Sequence, residues 1–171
     1  MIKNIFITGK PGCGKTSLVK EIIEALNLDA EGFYTSEIQK NNERIGFEIS
    51  SPSGKKEILA HKDFKSFPKV SKYGVNLNNL EEIGVKSILE ALKENKLIVI
   101  DEVGKMEMLS EKFKKAIITA LDSKNKVLGT IKLTSDPFTD EIKRREDTTI
   151  FHLTRENRGE IKKEIKNFLA Q

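Results

Sequence analysis

The sequence predicts an α/β fold: a mostly parallel sheet with flanking helices and one inserted antiparallel hairpin. Three observations carry this. Short strand-like apolar runs alternate with stretches of helical period, the pattern of parallel strands joined by crossover helices. Residues 97–100, "LIVI", form an uninterrupted apolar run, as in a strand buried on both faces. Between residues 33 and 50 the period becomes two, around a central "KNNE".

Taken in order, residues 3–8 read as a short buried strand. Residues 15–26 read as a helix, because Leu18, Val19, Ile22, Ile23 and Leu26 recur at helical spacing. Residues 33–39 and 44–50 form the hairpin. With Asn41 and Asn42 as its turn, Ile38 faces Ile45, Ser36 faces Phe47 and Tyr34 faces Ile49, which gathers the apolar side chains on one face. "SPSG" turns the chain into a strand over 56–60. Residues 61–78 show no period and contain Pro68 and Gly74, so they read as a long loop. Residues 79–94 are expected to be helical with Val85, Ile88, Leu89 and Leu92 inward. Ser110 is placed to cap a helix over 111–122 that turns Phe113, Ala116, Ile117, Ala120 and Leu121 inward. A strand over 126–131, a short helix over 137–145, a strand over 148–153 and a helix over 158–169 complete the chain. No repeat, low-complexity tract or linker divides it, and 171 residues suit a single domain, 1–171.

Composition narrows the function classes. Charged residues make up 33% and the formal net charge is +4, but basic and acidic residues alternate along most of the chain. That pattern describes solvated helix faces rather than a nucleic-acid groove. One Cys excludes a disulfide framework and a cysteine-rich metal site. No apolar stretch approaches the ~20 residues a membrane span needs. The sequence opens directly on a strand, with no signal segment, so a soluble cytoplasmic protein is the expectation.

The junction of the first strand and first helix carries "GKPGCGKT", Gly9, Lys10, Pro11, Gly12, Cys13, Gly14, Lys15 and Thr16. It fits G-x-x-x-x-G-K-[ST], the Walker A phosphate-binding loop, in the right strand–loop–helix context. Such a loop must turn successive backbone N–H groups inward, and side chains at its tight points would block the approach. The helix beginning near Lys15 aims its own N–H groups and dipole at the same anion. Lys15 is the candidate to neutralise the β- and γ-phosphates, and the Thr16 hydroxyl the candidate to hold Mg²⁺. Cys13 reads as a small filler rather than a nucleophile.

A phosphate loop needs an acid from a neighbouring strand, and "LIVIDE" supplies one. Asp101 stands where the buried strand surfaces and is the candidate to hold Mg²⁺ through water. Glu102 follows and is placed to orient and polarise an attacking water.

Six segments in order, "GKPGCGKT", "GFYTSEI", "RIGFEI", "LIVIDEVGKMEML", "VLGTI" and "TRENR", resemble the small P-loop nucleoside-triphosphatases described as thermophilic, or as cancer-related in animals. The resemblance covers nearly the whole chain. It implies a P-loop NTPase fold and Mg²⁺-dependent hydrolysis of nucleoside 5′-triphosphates to diphosphate and phosphate. It also implies nucleotide contacts from Gly9 through Thr16 and from Ile98, Val99, Ile100, Asp101, Glu102, Val103, Gly104 and Lys105.

Other residues are secondary candidates. Glu37 and Arg44 lie diagonally across the hairpin and could form a pair facing the nucleotide. Lys105 could reach the phosphates. Arg155 and Arg158 follow the last strand, on the side where a base would lie, and one of them could stack on it. His61 and His152 have no partner at metal-ligand spacing.

Two other functions use the same scaffold. A nucleotide or small-molecule kinase needs an acceptor site and an arginine-bearing lid, for which Arg144 and Arg145 are available. A slow nucleotide-gated binding module would rely on an arginine from a partner. Glu directly after the metal-binding Asp favours activation of water. "GTIKLTSDPF" contains Lys132 and Asp136, but not at the spacing that reads guanine, so broad use of ATP, GTP, CTP and UTP is expected.

Overall fold

The computed structural model describes all of residues 1–171. Its strands are β1 (Asn4–Thr8), β2 (Ala30–Lys40), β3 (Glu43–Ser50), β4 (Lys56–His61), β5 (Lys69–Val70), β6 (Tyr73–Val75), β7 (Leu97–Val103), β8 (Val127–Ile131) and β9 (Thr148–His152). They form one mixed sheet in the order β5-β6-β4-β3-β2-β7-β8-β1-β9. The half from β2 to β9 is parallel. β2 is long enough to leave that half and pair antiparallel with β3, extending the sheet through β4, β6 and β5.

Helices α1 (Lys15–Ala25), α2 (Leu77–Asn79), α3 (Lys86–Glu94), α4 (Glu111–Asp122), α5 (Pro137–Lys143) and α6 (Arg158–Ala170) cover the sheet. Strand alternation divides the core into two layers. Ile5, Ile7, Leu97 and Val99 point into a layer shared with Leu18 and Ile22 of α1 and Ile161 and Ile165 of α6. Phe6, Ile98 and Ile100 point the other way, towards Ile88 of α3, Phe113 and Ile117 of α4 and Ile142 of α5. A strand with helices on both sides must be apolar at every position, which is why "LIVI" does not alternate. Ser110 Oγ accepts from Phe113 N at 3.1 Å, and all five residues expected inward on α4 are buried.

Three expectations are corrected. The hairpin turn is at Asn41 and Asn42, both with positive φ, but a bulge beyond Gln39 shifts the register. Glu37 therefore faces Phe47, and Thr35 faces Ile49. Gly46 lies at the shift, where a Cβ would meet Ala60 O at 2.3 Å, so β3 and β4 approach too closely for any side chain there. The expected apolar face is thus split, with Ile49 in one core layer and Tyr34 in the other.

Secondly, a π-helical turn, Leu80–Val85, joins α2 to α3 and changes the phase of the helical face. Leu80, Ile83, Ile88 and Ala91 are buried, while Leu89 is 42% exposed. Thirdly, the expected loop over 61–78 contains β5 and β6, a two-stranded ribbon turned at Ser71 and too short to show a period.

A candidate nucleotide-binding site at the carboxyl ends of the strands

The carboxyl ends of β1, β7, β8 and β9 lie side by side, and the glycine-rich loop leaves β1 there. In open α/β sheets this edge is where ligands bind. Gly9 sits against the turn after β9, where a Cβ would meet Leu153 O at 2.8 Å. Gly14 has φ +92° as the residue before α1, a conformation that L side chains rarely adopt. No side chain caps α1 and its first turn has no acid, so its first N–H groups remain available to an anion. Lys15 Nζ donates to Gly9 O at 3.0 Å and Lys10 O at 3.2 Å, which holds the ammonium over the loop. Lys10, Pro11 and Gly12 are exposed, while Cys13 packs against the α1 side of the core, consistent with a filler.

Thr16 Oγ1 donates to Asp101 Oδ2 at 2.6 Å, and Thr130 Oγ1 donates to Asp101 Oδ1 at 2.5 Å. Asp101 is only 3% exposed. Burial raises its pKa, against the hydrogen bonds from Thr130 and Thr16. Burial also raises Glu102, and the neighbouring Asp101 charge adds to that. Glu107 is buried and held well above its ordinary range, first by burial and then by Glu102. Glu102 and Glu107 flank Gly104, where a Cβ would meet Glu102 Oε1 at 2.8 Å and Glu107 Oε2 at 3.0 Å.

Three carboxyls thus crowd one end of β7, with Lys15, Lys20 and Lys132 as the opposing charges. No three His, Cys, Asp or Glu side chains converge at ligand spacing. The donor set, one hydroxyl and one carboxylate, suits Mg²⁺, which characteristically takes the rest of its shell from phosphates and water.

Two cavities flank the loop. One, of about 430 Å³, reaches from Pro11 and Glu102 to the antiparallel half, with Thr35, Arg44, Phe47 and Tyr73 among its walls. Lys105 and Lys132 also line it. Glu37 and Arg44 form the expected pair at 3.0 Å, but the register shift sets it beside aromatic rings. The Arg44 guanidinium lies 5.1 Å from the Phe47 ring centroid and 5.6 Å from that of Tyr73. The other cavity, of about 350 Å³, lies between residues 10–13 and 152–156 and includes Arg155.

The other candidates differ in how open they are to a ligand. Ile98, Val99 and Ile100 are 0% exposed with side chains in the two core layers, and Val103 is equally buried, so no ligand reaches those side chains. Of that segment, Glu102 and Lys105 are accessible. Arg158 is engaged by Gly14 O at 3.1 Å and Glu21 Oε1 at 2.6 Å, where it ties α6 to α1. Of the two lid candidates, Arg145 is held by Asp147 and Asp122, whereas Arg144 is exposed. The sequence reading did not place Thr130, Phe47 or Tyr73 beside the site. A lone polar residue near the end of the apolar run "VLGTI" was the only signal for Thr130, whereas Tyr73 lay in a stretch without period.

Known proteins resemble this chain over nearly its whole length. The sequence profile of the NTPase family matches residues 4–166. A nucleoside-triphosphatase THEP1 from Thermotoga sp. (strain RQ2) is 48% identical over 165 residues, covering 96% of this chain and 94% of that protein. The crystal structure of THEP1 from the hyperthermophile Aquifex aeolicus superposes with a TM-score of 0.89 at 39% identity, over 98% of this chain and 99% of the other. The solution structure of a human cancer-related nucleoside triphosphatase gives 0.83 at 31% identity, over 98% and 97%. No helix is long and apolar enough to cross a membrane. By its likeness in sequence and fold over nearly its whole length, the chain belongs to the NTPase family, among the THEP1-type nucleoside-triphosphatases.

Proposed function

We propose that residues 1–171 act as one domain that hydrolyses ATP, GTP, CTP and UTP to the diphosphate and phosphate with Mg²⁺. The observation that carries this is the convergence of Lys15, the Thr16–Asp101 pair and Glu102 at the uncapped start of α1. Backbone N–H groups from Gly9 to Thr16 hold the phosphates, and Lys15 leaves its two carbonyl partners to meet the β- and γ-phosphate charge. Thr16 and Asp101 are the residues that would hold Mg²⁺, which when bound supplies charge neutralisation on the phosphate oxygens. Glu102 orients a water towards the γ-phosphorus and takes its proton as the bond to the diphosphate breaks.

Broad base use follows from what the loop after β8 does. Asp136 caps α5 by accepting from Phe138 N and Thr139 N and is paired with Lys132 at 2.7 Å, so neither residue is free to read a base edge. Arg155, at the mouth of the smaller cavity, would hold a base by its face, which every base possesses. Phosphate release from the four nucleotides under identical Mg²⁺ tests this. Specificity constants within about a hundredfold are expected, the span weak pocket contacts give. A preference of several thousandfold for one nucleotide would contradict it.

A further inference from the structure

We infer that Arg158 is a positioning residue for phosphate binding: it fixes and polarises the Gly14–Lys15 peptide, so that the Lys15 N–H meets the β-phosphate as a stronger donor. The inference rests on the reading of residues 9–16 as a phosphate loop.

The turn after β9 delivers Arg158 to this place. Thr154 N donates to Asn157 Oδ1 at 2.8 Å, and Asn157 Nδ2 donates to His152 O at 2.8 Å. Asn157 thereby holds the turn, and the next residue, Arg158, opens α6 beside the start of α1. Its guanidinium then serves two acceptors on α1 and the loop. Nη1 donates to Gly14 O at 3.1 Å, and Nη2 donates to Glu21 Oε1 at 2.6 Å. A planar fork of separated donors can hold both at once. Lys162, one turn further along α6, donates to Glu21 Oε2 at 3.2 Å, so the carboxylate that orients the guanidinium is itself held. These bonds, Arg158 first and Lys162 second, lower the Glu21 pKa and keep it charged. The approach to the loop is close: a Cβ at Gly14 would meet Arg158 Nη1 at 3.2 Å.

A trans peptide group is planar and conjugated, with its C=O and N–H pointing in opposite directions. Gly14 O accepts from Leu18 N at 3.0 Å within α1 and from Arg158 outside it, which occupies both lone pairs. The N–H of the same peptide belongs to Lys15, the first residue of the uncapped helix. With the carbonyl pinned towards α6, that N–H is aimed the other way, at the anion. Electron density drawn to the oxygen leaves the N–H more positive, and linked hydrogen bonds strengthen one another by about 10–30%. A guanidinium supplies this pull at every working pH, because it does not deprotonate. Backbone donors of a phosphate loop cradle the inner phosphates while the lysine reaches outward, so ATP and ADP share the contact.

Arg158→Met and Arg158→Gln both remove the charge, and Gln retains a donor for Gly14 O. Calorimetric titration with ATP, ADP and inorganic tripolyphosphate, each with Mg²⁺, reads the effect beside kcat and KM for ATP hydrolysis. All three affinities should fall about tenfold, the scale for an outer partner that orients a binding group. KM should rise to match, with kcat held within about twofold, the pattern of a contact made equally in the ground and transition states. Unchanged affinities in either folded variant would overturn the inference while leaving the phosphate loop intact. A loss confined to ATP and ADP, with tripolyphosphate unaffected, would also overturn it, because Arg158 would then be holding the nucleoside. Wild-type protein that binds none of the three would overturn it together with the phosphate-loop reading. Either variant decides the matter if the other fails to fold.

Discussion

The Thr16 hydroxyl and the Asp101 carboxylate meet at 2.6 Å across 85 positions of sequence. One stands at the start of α1 and the other near the end of β7. The contact joins the loop proposed to receive phosphates to the acid that would organise their cation. Thr130 fixes the second oxygen of the same carboxylate. Asp101 is therefore oriented before any ligand arrives, and only Thr16 has to turn from carboxylate to cation.

Replacing Asp101 with Asn keeps the shape of this junction and removes its charge. The Mg²⁺ concentration for half-maximal hydrolysis should rise about 10- to 100-fold, the scale found when a group supporting a metal is lost. A titration of activity against Mg²⁺ measures it. An unchanged midpoint would remove Asp101 from the metal site.

Lys15→Ala should lower hydrolysis about 10³-fold or more, comparable with other cations that meet charge on a transferring phosphoryl group. Its present hydrogen bonds go only to the carbonyls of Gly9 and Lys10, so the fold should survive. Circular dichroism together with phosphate release checks both halves. Near-normal turnover in a folded variant would contradict the assignment.

The loop and the acids were readable because their chemistry is local. A run of eight residues specifies the phosphate loop, and an apolar strand ending in Asp-Glu specifies its partner. The shape of the larger cavity was not readable. It depends on a bulge beside Gly46 that rotates Phe47 towards Glu37, and on a ribbon too short to announce Tyr73. The π-turn likewise moved Leu89 outward, because one irregular turn resets the phase of every residue after it. The resemblance implied nucleotide contacts from Ile98 to Lys105, and in that segment the side chains of Ile98, Val99 and Ile100 lie in the two core layers. Arg158 stands beside the loop at Gly14, where Glu21 competes for its guanidinium.

Asp136 yields a prediction about acid stability. Burial would raise its carboxyl, but the ion pair with Lys132 and the hydrogen bonds from Thr139 hold it at about 2, below the usual 3.8. Its contribution is thus fully present above the unfolded pKa and is lost as pH falls through about 2. Asp136→Ala should be less stable by about 1 kcal/mol near neutrality, the typical value of a helix N-cap. The gap from wild type should close between about pH 4 and pH 2. Denaturant unfolding at stepped pH measures it, and a gap unchanged down to pH 2 would show that charge has no part in the effect.

The account centres on Glu102 as the residue that activates water at the γ-phosphate, and Glu102→Gln tests it most directly. The substitution keeps the length and shape of the side chain but removes its capacity to take a proton. The decisive measurement is single-turnover phosphate release from ATP with excess enzyme, beside the affinity for Mg²⁺–ATP. The account predicts release slowed by about 10²-fold or more, the usual contribution of a positioned general base, with affinity held within severalfold. Release at the wild-type rate with normal binding would contradict it and transfer the role to another carboxyl, with Glu107, buried beside Glu102, the first to examine.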